Sequence, residues 1–205
     1  MLRYTTVAKA ADAEQIIEKS RFIAHVKSVS TKEDADAFIR EIKQQFKDAA
    51  HNVPAFVIGE KQQLQWASDD GEPQGTSGAP IVQMLVKEGL TNLCVVVTRY
   101  FGGIKLGTGG LVRAYTSSAK LALDAAGLHQ VKDCVILVFD LNYSSLGKLQ
   151  NLEKDMPFRI ENVEYGAALS VKISLEPEDE SAIMDMLSEL TSGLVRVISR
   201  EENLL

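Results

Sequence analysis

Between Arg99 and Arg113 the chain reads RYFGGIKLGTGGLVR, with glycines at 102, 103, 107, 109 and 110 and Lys105 among them. Glycines this dense let a backbone turn sharply and let a ligand approach it closely. An apolar, β-branched run, Leu93 to Thr98, precedes the segment and reads as a buried strand. A helical pattern, Leu111 to Ala126, follows it. Strand, glycine-rich turn and helix start together make an anion site. The first-turn N–H groups point outward, and the helix dipole adds positive potential there. Arg99, Lys105 and Arg113 are close enough in sequence to add full charges. Two standard nucleotide motifs do not fit. Gly102 and Gly107 have Walker A spacing, but Thr108-Gly109 stands where Lys-Ser/Thr belongs, and Val112 replaces the third glycine of a dinucleotide fingerprint. A purely structural reading, in which the glycines only pack a helix on a sheet, stands beside the binding loop. The density favours the loop, with Gly107, Thr108, Gly109 and Gly110 holding the anion.

Other residues of chemical interest lie upstream. Asp69, Asp70 and Glu72 are carboxylates that could hold a divalent cation or act as general acid and base. The competing and favoured reading is an exposed turn whose Asp side chains bond nearby backbone N–H groups. No calcium-loop pattern or zinc spacing accompanies them, so no metal and no cofactor are expected. His51, beside Asn52, follows a predicted helix, where a histidine either serves a site or caps carbonyls. His25 and His129 are expected to be structural or exposed. Gly75-Thr76-Ser77-Gly78 lacks the G-x-S-x-G spacing of a nucleophile elbow, which argues against a Ser/His/Asp hydrolase. Trp66 is expected in the core rather than as a base-stacking platform.

The elements that position these residues follow in order. Leu2 to Val7 and Glu14 to Val29 look extended, the latter within a hairpin carrying Arg21. Thr31 and Asp34 fit a capping box ahead of a helix with Ala35, Phe38, Ile39, Ile42 and Phe46 on one face. Ala55 to Ile58 and Leu64 to Ser68 read as paired strands, and Ile81, Met84, Leu85 and Leu90 as a short helix. Gly127 closes the long helix, and the best boundary falls at Gly127 to Lys132. The remainder reads βαββαβ: strands Val135–Leu141, Phe158–Tyr165, Ala168–Leu175 and Leu194–Ser199, helices Ser144–Lys154 and Pro177–Leu190. That order is ferredoxin-like. The expected fold is therefore α+β in two domains, 1–130 and 131–205.

The 205 residues, 45% hydrophobic and 24% charged, are those of a globular chain. No apolar run approaches the roughly 20 residues of a membrane span. Cys94 and Cys134 sit inside apolar runs and are expected to be reduced, so the expected location is cytoplasmic. Residues 1–127 hold 15 Lys/Arg and 14 Asp/Glu, a balance of +1, whereas residues 128–205 hold 7 and 14, a balance of −7. The C-terminal part is a poor electrostatic partner for nucleic acid, and no DNA binding is expected.

Four segments together resemble the IMPACT family, in its bacterial two-domain YigZ-like branch. They are Ser20-Arg-Phe-Ile-Ala, His51-Asn, Asp69-Asp-Gly-Glu-Pro-x-Gly-Thr-x-Gly-x-Pro80, and the long run Thr98 to Tyr115. The resemblance implies an N-terminal domain like the second domain of the small-subunit ribosomal protein numbered five. It also implies a C-terminal domain like the last, ferredoxin-like domain of elongation factor G. Eukaryotic members of the family regulate translation initiation. The resemblance thus implies a translation-associated regulatory protein, its partners RNA, a ribosome-associated factor or a nucleotide phosphate. Arg21, His51, Asn52, Arg99, Lys105, Gly107 to Gly110 and Arg113 would surround its anion pocket. The alternative is a metal-assisted enzyme acting on a phosphorylated small molecule or nucleotide. Val53 and Ala79 stand where relatives often carry Cys and Arg, which weakens any reading that needs a thiol or an extra cation there.

Overall fold

A computed structural model of the chain describes residues 1–204. The elements are β1 (Leu2–Val7), β2 (Ala11–Ile17), β3 (Ser20–Ser28), α1 (Lys32–Gln45), β4 (His51–Ile58), β5 (Leu64–Ala67), α2 (Gly78–Lys87), β6 (Leu93–Tyr100), α3 (Gly107–Ala126), β7 (Leu128–Leu141), α4 (Tyr143–Leu152), β8 (Phe158–Tyr165), β9 (Leu169–Leu175), α5 (Glu180–Leu190) and β10 (Arg196–Leu204). They form an α+β protein whose chain divides into two compact units. One is Tyr4–Gln130; the other is Val131–Leu205 together with Met1–Arg3.

In the first unit the antiparallel strand order is β2-β3-β6-β4-β5. The central strands alternate between two apolar faces, as a pleated strand covered on both sides must. Phe56, Cys94 and Val96 face α1, packing with Phe38, Ile39 and Ile42. Val57, Val95 and Val97 face the opposite way, packing with Ile81 and Leu85 of α2 and with Ala114, Tyr115 and Ala119 of α3. Burial raises the Cys94 thiol well above its ordinary range, which makes it an inert core residue.

Local sequence explains how each element starts and stops. Thr31 caps α1 with the full capping box: its hydroxyl accepts from the Asp34 amide at 3.1 Å, and the Asp34 carboxylate accepts from the Thr31 amide at 3.2 Å. β2 and β3 join through Glu18 and Lys19, both left-handed at φ 45° and 63°, the geometry that matches hairpin twist. Pro54 sits inside β4 without breaking it. Its carbonyl accepts from the Ser68 amide just past β5, so the N–H it lacks falls beyond the end of that ladder. Gly127 ends α3 at φ 68°, its amide donating to the Leu123 carbonyl.

The second unit reads β7-α4-β8-β9-α5-β10, with strand order β8-β9-β7-β10 and β1 also on β7. This is the βαββαβ ferredoxin-like arrangement. Its core is separate: Leu137, Phe139, Val171 and Ile173 of the sheet meet Leu149, Ile183 and Leu187 of the helices. The Arg3 Nε donates to Asp133 at 2.6 Å, tying the N-terminus to this unit.

Several expected boundaries move. β4 begins at His51 rather than Ala55, and β7 begins at Leu128 rather than Val135. β10 runs on to Leu204 through a charged stretch, which backbone pairing with β7 supports where no apolar alternation announces it. The segment Gly107–Gly110 is the first turn of α3 and not a free loop. Trp66 is not a core residue. It is 44% exposed and stacks on Phe56 at 5.4 Å between ring centroids, because β5 is the sheet edge.

Candidate functional site

The period-two rule of the strands decides which side chains meet. His51 and Arg99 are direct partners across β4 and β6, and Phe22 is the partner of Arg99 across β3. All share the parity of Val53, Val97 and Ala24, so they face α3. Arg21 and Asn52, one residue off, belong to the other parity. Arg21 forms a bidentate, exposed pair with Glu14, both bonds 2.8 Å. Asn52 is buried, donating to the Phe46 carbonyl and accepting from the Thr98 hydroxyl at 2.7 Å. His25 is also structural, its Nδ1 2.8 Å from Asp12. His129 is exposed.

On the α3 side a cavity of about 420 Å³ opens. His51, Glu72 and Arg99 form one wall, and Lys105, Gly107 and Thr108 form the opposite rim. Pro73, Phe101, Leu106 and Leu111 complete an apolar remainder. The carboxylate turn and the glycine segment therefore meet in space.

Glu72 is the hub of the wall. It is 9% exposed, and its Oε1 accepts from Arg99 Nη1 at 2.6 Å and from the Tyr115 hydroxyl at 2.7 Å. Burial, and then the Glu72 carboxylate, push the Tyr115 hydroxyl far up, so it stays protonated and donates. The turn that delivers Glu72 is Asp69 to Glu72. Its central residues, Asp70 and Gly71, are left-handed at φ 48° and 89°, and the Glu72 amide donates to the Asp69 carbonyl. His51 packs on this turn. Its Nδ1 lies 2.8 Å from the Asp70 carbonyl oxygen, which only a protonated Nδ1 can satisfy. Its Nε2 lies 3.8 Å from Glu72 Oε1.

The three carboxylates are not a cluster. Asp69 accepts from the amides of Gly75, Ser77 and Gly78 and from the Ser77 hydroxyl, so it folds the loop and caps α2. Asp70 accepts from Lys43 and from the Asn52 amide. Glu72 takes Arg99 and Tyr115. Among the described residues no group of three His, Cys, Asp or Glu side chains could hold a metal. Ser77 is fully buried on Asp69 and unavailable as a nucleophile.

The cations are unevenly satisfied. Arg99 is 5% exposed; Nη1 binds Glu72 and Nη2 lies 3.4 Å from the Ser20 hydroxyl. Its Nε has no hydrogen-bond partner, the one buried side-chain polar atom so placed among the described residues. A buried orphan donor on a charged group is costly and rare. The Lys105 side chain has no ion-pair or hydrogen-bond partner among the described residues, nor has the Arg113 guanidinium. Arg113 lies outside the lining but reaches back over the first turn of α3, with Nη1 3.9 Å from where a Gly109 Cβ would lie. Gly110 packs on Leu106 and does not line the cavity.

The family model for the Impact N-terminal domain matches residues 18–123, and that for a domain of unknown function (DUF1949) matches residues 139–194. The IMPACT family member YvyE of Bacillus subtilis (strain 168) is 43% identical over 93% of this chain and 88% of its own length. The chain belongs to the IMPACT family. Its YigZ member from Escherichia coli (strain K12) is 32% identical over 91% of this chain and 92% of its own length. A crystal structure of a hypothetical protein, 30% identical, superposes with a TM-score of 0.61 over 97% of this chain and 98% of the other. The first matched domain contains the whole cavity. Among the described residues no helix is long and apolar enough to cross a membrane.

Proposed function

We propose that this IMPACT protein is a cytoplasmic, translation-associated regulatory protein that binds a phosphate-bearing ligand at the head of α3. Family membership supports the translational part. The cavity supports the anionic part, and one observation carries it: the buried Arg99, with its orphan Nε, shares a cavity with the unpaired Lys105 and the first turn of α3. Helix N–H groups and a guanidinium are the groups that recognise phosphate best. Of the wider set read from sequence, His51, Gly107 and Thr108 line the same space, Gly109, Gly110 and Arg113 adjoin it along α3, and Arg21 and Asn52 lie on the other side of the sheet. A metal-assisted enzyme is the weaker reading, because Asp69 and Asp70 are committed to the loop and to α2.

The test is thermal unfolding of the full chain with pyrophosphate and with short RNAs, each with and without magnesium. A ligand at about 100 times its Kd stabilises by about 2.7 kcal/mol, a clear rise in melting temperature. Wild type is expected to shift and Lys105→Ala to shift far less. Equal shifts in both would remove the anion site from this part of the molecule.

A further inference from the structure

We infer that the ligand of this cavity is a nucleoside monophosphate, its phosphate against the first turn of α3 at Gly107 and Thr108 and its base on Phe101. The inference rests on the phosphate-site reading above and adds the rest of the ligand.

The first observation is the rim at the head of α3. Gly107 enters the helix at φ 72° and lines the cavity beside Thr108 and the unpaired Lys105. Backbone without a Cβ next to a free ammonium is what close approach of an anion requires.

The second observation is Phe101. This phenyl ring is 52% exposed while lining the cavity. The guanidinium carbon of Arg99 lies 5.4 Å from its centroid and 5.4 Å from that of Phe22. The ring is thus held by a buried cation yet open to a ligand, the arrangement on which a planar base stacks. About 420 Å³ lies within the roughly 300–1,000 Å³ of small-molecule sites.

Third, the charge argues against a long polyanion. Arg99 is already matched by Glu72, leaving Lys105 on the rim, and residues 1–127 balance at +1. That suits one phosphate, whereas tracking an RNA backbone needs a basic groove.

The experiment is isothermal titration of the full chain with AMP, GMP, CMP, UMP, ribose 5-phosphate and adenosine. At least one nucleotide is expected to bind roughly tenfold or more tightly than ribose 5-phosphate, the scale of one base stack. Phe101→Ala should abolish that difference and leave ribose 5-phosphate binding intact. Lys105→Ala should weaken every phosphate compound alike while its melting temperature stays level, an outcome a purely structural residue would not give. If the nucleotides bind only as tightly as ribose 5-phosphate, the base subsite is overturned and the phosphate site stands. If adenosine binds as tightly as AMP, or no phosphate compound binds, the phosphate site itself is overturned.

Discussion

At the scale of single residues, Glu72 does the most. Among the described residues it is the one acidic residue buried like a core side chain, and it can be so only because Arg99 and Tyr115 both donate to it. Removing one member of such a buried pair leaves the other uncompensated, which typically costs about 3–5 kcal/mol. Glu72→Gln keeps the shape and one acceptor but strands the Arg99 charge. It is expected to destabilise by roughly 3 kcal/mol in urea unfolding. Tyr115→Phe, which deletes one hydrogen bond and leaves the ion pair, should lose nearer 1 kcal/mol. The same Glu72→Gln change subtracts a negative charge from the cavity wall, so phosphate should bind more tightly to whatever fraction is folded. Stability equal to wild type would show that the pair is not what holds Arg99. The sequence exposes Glu72 only as the third acid of a turn. Its bond to Arg99 depends on which strands pair, and nothing between residues 72 and 99 announces that.

At the scale of elements, much was legible. The capping box of α1, the Asp70-Gly71 turn and the C-cap at Gly127 are local chemistry, and local chemistry can be read from a few neighbouring letters. The strands that carry the site were visible, but their mutual register was not. Arg21 sits one residue from Phe22, the strand partner of Arg99, and that single step puts it on the opposite face of the sheet. The carboxylate turn shows the same limit. Asp69 acts on α2, eight or nine residues away, at amides where Ser77 offers no side-chain cap of its own. Burial pushes the Asp69 carboxyl up, but bonds from the Ser77 hydroxyl and the amides of Gly75, Gly78 and Ser77 outweigh it and hold it below the ordinary value of 3.8. A depressed carboxylate adds stability that is complete above the unfolded value, about 3.9, and fades as pH falls through the folded one. The stability of wild type should therefore fall below about pH 4 more steeply than that of Asp69→Asn. At neutral pH the variant should be weaker by about 1–3 kcal/mol, the worth of bonds to a charged acceptor. Parallel acid limbs in a urea midpoint against pH series would show that this carboxylate does not hold the loop.

At the scale of the molecule, the two units divide both the core and the charge. The apolar clusters of Tyr4–Gln130 share no residue with the cluster of the ferredoxin-like unit. The acid excess lies wholly after residue 127, where the balance is −7 against +1 before it, for a net charge of −6. Composition gave that asymmetry directly, and alternation of strand and helix patterns gave the two architectures. What it withheld was the use of Met1–Arg3, three residues separated in sequence by the whole first unit from the sheet they join. Every residue that lines the cavity lies between His51 and Leu111. A domain with its own core folds alone, as a rule. Residues 4–130 expressed by themselves should then unfold cooperatively and bind a phosphate ligand within about twofold of the full chain, a difference under 0.5 kcal/mol. The salt dependence should be shallow in both, since a mononucleotide has no condensed counterions to release, whereas a protein making several contacts on a polyanion releases several. A folded fragment that no longer binds would mean that the acidic unit takes part in the site. A steep slope in the full chain would point instead to a longer nucleic acid held outside the cavity.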